Sequence, residues 1–302
     1  MPVRSLFAAV GDNLDAAYLN LRSGRHPADR QIVEKLESMW ARYEPYADPH
    51  FVAAFARDPD ARFWEMFLGC AILDAGKALL LATERPRRGG RPDLCIVEGD
   101  RRLWIEAIAP DRGQPGTDQV PELVTRSRVT LDELPARQVQ LRITSALLTK
   151  MKAFQDYLCN GVVSAHDVRM VAVGAARFSI YASGTTFPLA LSAVFPIGSE
   201  FVTFDRDTLE VISRGFQPSF KIPRSQASYI PRTAFIDPMF SCVSGLIWSR
   251  VGMGNMDRTV RPLSFIHNPL AEAPLPQRCG VWDREFVATE NADGWTVVNI
   301  LA

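Results

Sequence analysis

Lysine is scarce in this chain: five lysines (Lys35, Lys77, Lys150, Lys152 and Lys221) stand against 29 arginines in 302 residues. Any chemistry that needs an ammonium is confined to those five positions. Net charge is missing as well, with 34 basic and 34 acidic side chains. That balance argues against a histone-like or polybasic binder of nucleic acid, but leaves room for an enzyme with a local basic groove. No apolar run approaches the roughly 20 residues of a membrane span, so no membrane partner is expected. Near the start, only Leu6 to Val10 is apolar, too short for the core of a secretory signal. The five cysteines (Cys70, Cys95, Cys159, Cys242, Cys279) are odd in number and form no CxxC pair and no zinc-type spacing. Cys70 and Cys95 stand in apolar runs, where reduced, buried thiols are expected, and a reducing cytoplasm fits. The four histidines form no HExxH or HxH pair. There is no GxSxG elbow and no Walker loop, and Gly252-Met253-Gly254 lacks the strand-to-helix fingerprint and reads as a turn.

What is present is a globular composition, 47% hydrophobic and 23% charged, with length for one large domain or two modest ones. Residues 1–57 read as a helical preface. One helix carries Leu6, Val10, Leu14 and Tyr18, and a second restarts at Pro27-Ala28-Asp29. Asp58-Pro59-Asp60 is a turn able to cap a strong helix from Ala61 to about Ala75, which Gly76 ends. Lys77–Thr83 reads as a short buried strand. Asp93–Glu98 and Arg101–Ala109 read as a hairpin turning at Gly99-Asp100. Pro110 to Pro135 is a long polar connection, a length that usually marks a functional loop. Gln138–Leu158 is a second strong helix and Val168–Gly174 a buried strand. Beyond about residue 180 come short strands and turns: Phe187–Pro196, Ala234–Pro238, Val243–Trp248 and Thr296–Leu301. The tail aromatics Phe235, Phe240, Trp248 and Trp282 are expected in a core rather than as base-stacking platforms. The expected organisation is a helical segment over 1–57, an α/β (α+β) core over 58–180 and a β-rich region packed on it over 181–302.

The hairpin turn sets the cross-strand register. Ile96 faces Leu103, Cys95 faces Trp104, Leu94 faces Ile105, and the last pair outward is Asp93 opposite Glu106. Like charges directly opposed are destabilising, so a chain that pairs them must separate them, protonate one or place a cation between them. A solvated hairpin end is the plain alternative. Glu65 shares a helical row with Ala61, Gly69, Ile72 and Gly76, all apolar or small, and a carboxylate on such a row needs a partner. That partner is either an arginine in a structural ion pair or a catalytic pocket. On the second helix the apolar stripe is Ile143, Leu147, Met151, Phe154 and Leu158. At 100° per residue, Lys150 lies about 20° from Ile143, inside the stripe, whereas Lys152 faces solvent. An inward lysine either snorkels to the domain edge or belongs to a site.

Pro92-Asp93 followed by Glu106-Ala107-Ile108, within the order helix, three strands, helix, strand over roughly residues 60–175, resembles the PD-(D/E)XK nuclease superfamily. The resemblance implies a restriction-endonuclease-like αβββαβ core. It implies that Asp93, Glu106 and the carbonyl of Ala107 hold Mg2+ or Mn2+, that Glu65 is the acid from the first core helix, and that a lysine assists the attacking water. This sequence departs from the motif, because Ile108 stands where the lysine belongs. Some members supply that lysine from the following helix, and Lys150 suits the displacement. The segments Phe63-Trp64-Glu65 and Arg142-Ile143-Thr144 add a similarity to a bacterial branch that carries no substrate assignment.

The resemblance implies a metal-dependent phosphodiester hydrolase with nucleic acid, DNA above all, as its partner. Arg85, Arg87, Arg88 and Arg91 flank the expected site and suit phosphate contacts, or are simply a solvated basic loop. The competing reading is a catalytically degenerate nuclease fold serving as a binding or assembly module, in keeping with Ile108. A Lys150 ammonium more than about 8 Å from both carboxylates would favour it. A homodimer would suit double-strand cleavage, although nothing in the sequence argues for one.

Overall fold

The computed structural model describes residues 4–86, 88–122, 135–178, 188–225, 228–257, 262–291 and 294–301. Four helices come first: α1 (Ala16–Ser23), α2 (Pro27–Tyr43), α3 (Phe51–Phe55) and α4 (Pro59–Asp74). Then follow β1 (Ala78–Leu79), β2 (Leu94–Glu98), β3 (Arg101–Ile108), α5 (Ala136–Cys159), β4 (Val168–Gly174) and α6 (Leu191–Val194). The remainder is β5 (Ile197–Phe204), β6 (Val211–Pro218), β7 (Lys221–Pro223), β8 (Tyr229–Pro231), β9 (Gly245–Ser249), β10 (Ser264–His267), β11 (Arg284–Asn291) and β12 (Gly294–Asn299). One mixed sheet of eight strands, in the order β1-β2-β3-β4-β9-β10-β11-β12, organises the chain, and β5-β6 and β7-β8 form separate two-stranded ribbons. β3, β4 and β9 run parallel, with antiparallel partners outside them.

Strand alternation divides the core between the two sheet faces. Leu94, Ile96, Leu103, Ile105, Met170 and Ala172 pack with α1–α4, whereas Cys95, Trp104, Val171 and Val173 pack with α5. The α5 stripe Ile143, Leu147, Met151 and Phe154 is buried as its periodicity predicts. α4 starts at its cap, where the Asp58 carboxylate accepts from the Ala61 N–H, and it stops at Gly76, whose φ of +73° suits a residue without a Cβ. Trp64 ties α4 to the sheet: its indole N–H donates to the Ala172 carbonyl at 3.0 Å, over Gly174, where a Cβ would come within 2.7 Å of the ring. Phe235, Phe240, Trp248 and Trp282 are all buried, as expected of core aromatics.

Elsewhere the structure departs from the sequence reading. Residues 4–14 are not helical. Gly11 and Asn13 take positive φ, and the first helix waits for Asp15, which caps it through the Ala17 N–H. The expected strand Lys77–Thr83 shrinks to Ala78–Leu79. Within Phe187–Pro196 the described part holds the short helix α6, and Ala234–Pro238 contains a 3-10 turn instead of a strand. The β-rich tail is more than a layer against the core, because β9–β12 continue the same sheet from β4 outward. No helix among the described residues is long and apolar enough to cross a membrane, and all five cysteines are unpaired.

Candidate active site

The hairpin keeps the expected register from Glu98↔Arg101 to Leu94↔Ile105, so Asp93 and Glu106 fall just past the last ladder pair. Both lie on the α5 face by alternation. Freed from the ladder, the Asp93 carboxylate accepts the Ala107 N–H at 2.8 Å. Lys150, two turns below the buried Ile143, hydrogen-bonds Glu106 and lies 3.7 Å from Asp93. Its side chain is 19% exposed, against 4% for Glu106. The ammonium therefore sits between the two carboxylates and does not snorkel to solvent. Ile108, on the same strand face, is half-buried against the α5 core. The position two residues after Glu106 thus packs, and the neighbouring helix delivers the cation.

Tyr157, two turns further along α5, donates its hydroxyl to the other Glu106 oxygen at 2.8 Å. Burial and the adjacent Asp93 charge push the Glu106 carboxyl up to about 7, against the opposing pull of Lys150 and Tyr157. For Lys150, burial favours loss of the proton, but Asp93 and Glu106 outweigh it and raise its pKa. It is an ammonium at neutral pH. The Tyr157 phenol is raised by burial and by Glu106.

Glu65 arrives from the other side of the sheet, on α4, and is 3% exposed. Of the two sequence expectations for it, the arginine pair is the one the structure displays. Its oxygens accept from the Tyr43 hydroxyl at 2.8 Å and from Arg62, one turn earlier on the helix. Burial and then Asp93 raise the Glu65 carboxyl to about 8. Gly69 makes this arrangement possible, since a Cβ there would come within 2.4 Å of the Tyr43 ring. Each glutamate is thus held by one tyrosine and one cation, with Asp93 acting electrostatically on both.

The arginine run divides. Arg85 is buried, and its guanidinium donates to the carbonyls of Tyr46, Pro92 and Asp93 and pairs with Asp48 at 3.1 Å. This corrects its expected role: the buried guanidinium ties the Pro92 and Asp93 carbonyls to Tyr46 and Asp48 and is not presented to a phosphate. Arg91 is partly buried, pairing with Asp48 at 3.1 Å and bonding the Ala82 carbonyl. Arg88 is exposed, and Arg87 lies outside the described residues. Gly90, with φ +116°, lets this loop lie on Tyr157, whose ring a Cβ would approach within 2.1 Å. Tyr43, Arg62 and Tyr157 escaped the sequence reading. Arg62 alone left a signal, three residues before a glutamate on an apolar row.

Among the described residues, no group of three or more His, Cys, Asp or Glu side chains is disposed as metal ligands. A smaller donor set is at hand: the Asp93 carboxylate, the Glu106 carboxylate and the Ala107 carbonyl, which leaves the same strand edge as the N–H bound to Asp93. Hard oxygens in this number suit Mg2+ or Mn2+, which bind through one or two carboxylates and keep part of their water. Burial first and the Asp93 charge second raise the Glu106 carboxyl, and a divalent ion beside the two acids would oppose the second of these. In kind and in charge the residues fit such an ion. No protein-family model, no curated protein and no solved structure matches this chain.

Proposed function

We propose that this protein is a divalent-metal-dependent phosphodiester hydrolase of the PD-(D/E)XK type, acting on DNA. One observation carries the reading: the Lys150 ammonium hydrogen-bonds Glu106 and lies 3.7 Å from Asp93. The order α4, β1, β2, β3, α5, β4 supports it. Asp93, Glu106 and the Ala107 carbonyl would hold Mg2+ or Mn2+, and such an ion supplies Lewis acidity to a water and to a phosphoryl oxygen. Tyr157 orients Glu106, and Arg85 fixes the backbone of Asp93. Lys150, kept protonated by the two acids, contributes fixed positive charge where charge builds on the phosphate, which makes it an electrostatic group and not a general base. Arg88, exposed on the loop over Tyr157, is accessible for phosphate contact. The cytoplasm is the compartment this reading assigns, in keeping with five unpaired cysteines.

Incubation with plasmid and single-stranded DNA in Mg2+ or Mn2+ tests the reading. Cleavage is expected, with Asp93→Asn and Glu106→Ala inactive and Lys150→Met slower by about 10²–10³-fold, the loss typical of one preorganised charge. Cleavage that survives Glu106→Ala removes the assignment. A second reading, a non-catalytic binding module on the same fold, is favoured by Ile108 and by the lack of a three-acid ligand group among the described residues. Its mark is DNA binding without cleavage in either metal.

A further inference from the structure

We propose that Arg62 is the arm of this site that takes the substrate's phosphate, and that Glu65 and Tyr43 are positioning residues for it, with Glu65 outside any metal shell. The proposal rests on the hydrolase reading above. A guanidinium offers five N–H donors in a rigid fork. Among the described residues, Arg62 spends only Nη1, on Glu65. Its side chain is 34% exposed while Glu65 beneath it is 4% exposed, so the fork is anchored from below and open above. Arg62 is also close enough to Asp93 to be stabilised by its charge and close enough to Lys150 for the two cations to oppose each other. The α5 face thus brings Lys150 to 3.7 Å from Asp93, and the α4 face brings Arg62, held on Glu65, within electrostatic range of it. Cations with unspent donors are what a phosphodiester, whose single negative charge is shared by two non-bridging oxygens, would bridge.

The chain of support beneath Arg62 is built for geometry. Tyr43 is fully buried, its ring fits the space left by Gly69, and it meets Phe51 edge-on at 5.5 Å between centroids. Its hydroxyl fixes one Glu65 oxygen at 2.8 Å, and the other oxygen faces Arg62. Among the described residues Glu65 does not join Asp93 and Glu106 in a group of three acids disposed around one ion. Its oxygens serve Tyr43 and Arg62 instead, which in this proposal makes it an anchor and not a ligand.

Two measurements on the full chain test the proposal. The first is fluorescence anisotropy of a labelled single-stranded oligodeoxynucleotide in EDTA, titrated at several salt concentrations. Arg62→Ala should weaken binding about tenfold or more and lower the slope of log K against log salt by about 0.7, the release expected for one single-strand phosphate. Arg62→Lys should restore the slope but only part of the affinity, because an ammonium lacks the fork. The second is Mn2+ binding without DNA, read by electron paramagnetic resonance of the free ion. Glu65→Gln should leave Mn2+ affinity within about twofold of wild type, whereas Asp93→Asn should lower it tenfold or more, Asp93 being one of only two carboxylates in the donor set. If Arg62→Ala misfolds because Glu65 is left buried and unpaired, the double variant Arg62→Ala/Glu65→Gln removes both charges and is held to the same binding loss. Wild-type binding that Arg62→Ala leaves unchanged overturns this assignment alone, as does a Glu65→Gln loss of Mn2+ equal to that of Asp93→Asn. A wild-type protein that binds no oligonucleotide overturns this assignment, and one that also cleaves no DNA in Mg2+ or Mn2+ overturns the DNA-hydrolase reading with it.

Discussion

Glu106 is where the energetics of the site concentrate in one residue. Its carboxyl, ordinarily near 4.5, is raised to about 7 by burial and then by Asp93. A carboxyl that holds its proton more tightly when folded takes up protons on folding between the two values, so stability is greatest below 4.5 and is lost as pH rises through about 7. Glu65, raised to about 8, extends the same trend upward. Thermal melts between pH 5 and 8 should therefore show the melting temperature falling as pH rises. Glu106→Gln, neutral at every pH, should flatten the lower half of that decline. A profile for Glu106→Gln as steep as wild type would place the coupling elsewhere. Mn2+ affinity has the opposite sign. The ion needs Glu106 deprotonated, so binding should strengthen as pH rises through 7.

The connection between α4 and β2 shows what a single buried side chain does for an element. The described residues between β1 and β2 carry no regular structure, yet they deliver Asp93 to the end of β2. Arg85 holds them by bonding the carbonyls of Tyr46, Pro92 and Asp93. Arg85→Met should destabilise the fold by about 3 kcal/mol, as buried carbonyls lose their donors. Arg85→Lys should rescue little, since one ammonium cannot reach in three directions as the fork does. A chemical-denaturation series on the two variants measures this, and near-wild-type stability of Arg85→Lys would refute the clamp. Legibility in the sequence divides along the same line. The Leu94↔Ile105 register and the inward turn of Lys150 were readable because a two-residue turn and a helical period are local rules. The grip of Arg85 on Tyr46, Tyr43 against Glu65, and Tyr157 against Glu106 join residues far apart in the chain, and no local period encodes them. The early helix predicted through Leu6 and Val10 failed for a local reason, because the positive φ of Gly11 and Asn13 breaks a run whose spacing alone looked helical.

At the scale of the whole molecule, the expected boundary near residue 180 meets a continuous sheet. β4 is buried at all seven positions and lies between β3 and β9, with Met170–Gly174 paired in register to Gly245–Ser249. The α5 face of the core also draws Leu246, Trp248, Ile266 and Phe286 from the tail. These strands are short, and their place beside β4 depends on pairings more than seventy residues apart, so the sequence showed them as a β-rich extension and not as half of the sheet. A chain ended after Phe178 would keep α4, α5 and every proposed ligand, and would still expose a central strand along its full edge. An unpaired apolar strand of that kind promotes association and not folding. Such a fragment should show no cooperative thermal transition and no Mn2+ binding, and should elute as aggregate on size exclusion. A monomeric fragment that melts cooperatively would show that the core stands alone and that the tail is an appended domain. The geometry opposes that outcome, because truncation would also strip Arg169, buried in β4, of the Cys242 carbonyl and of its carboxylate partner, Glu272.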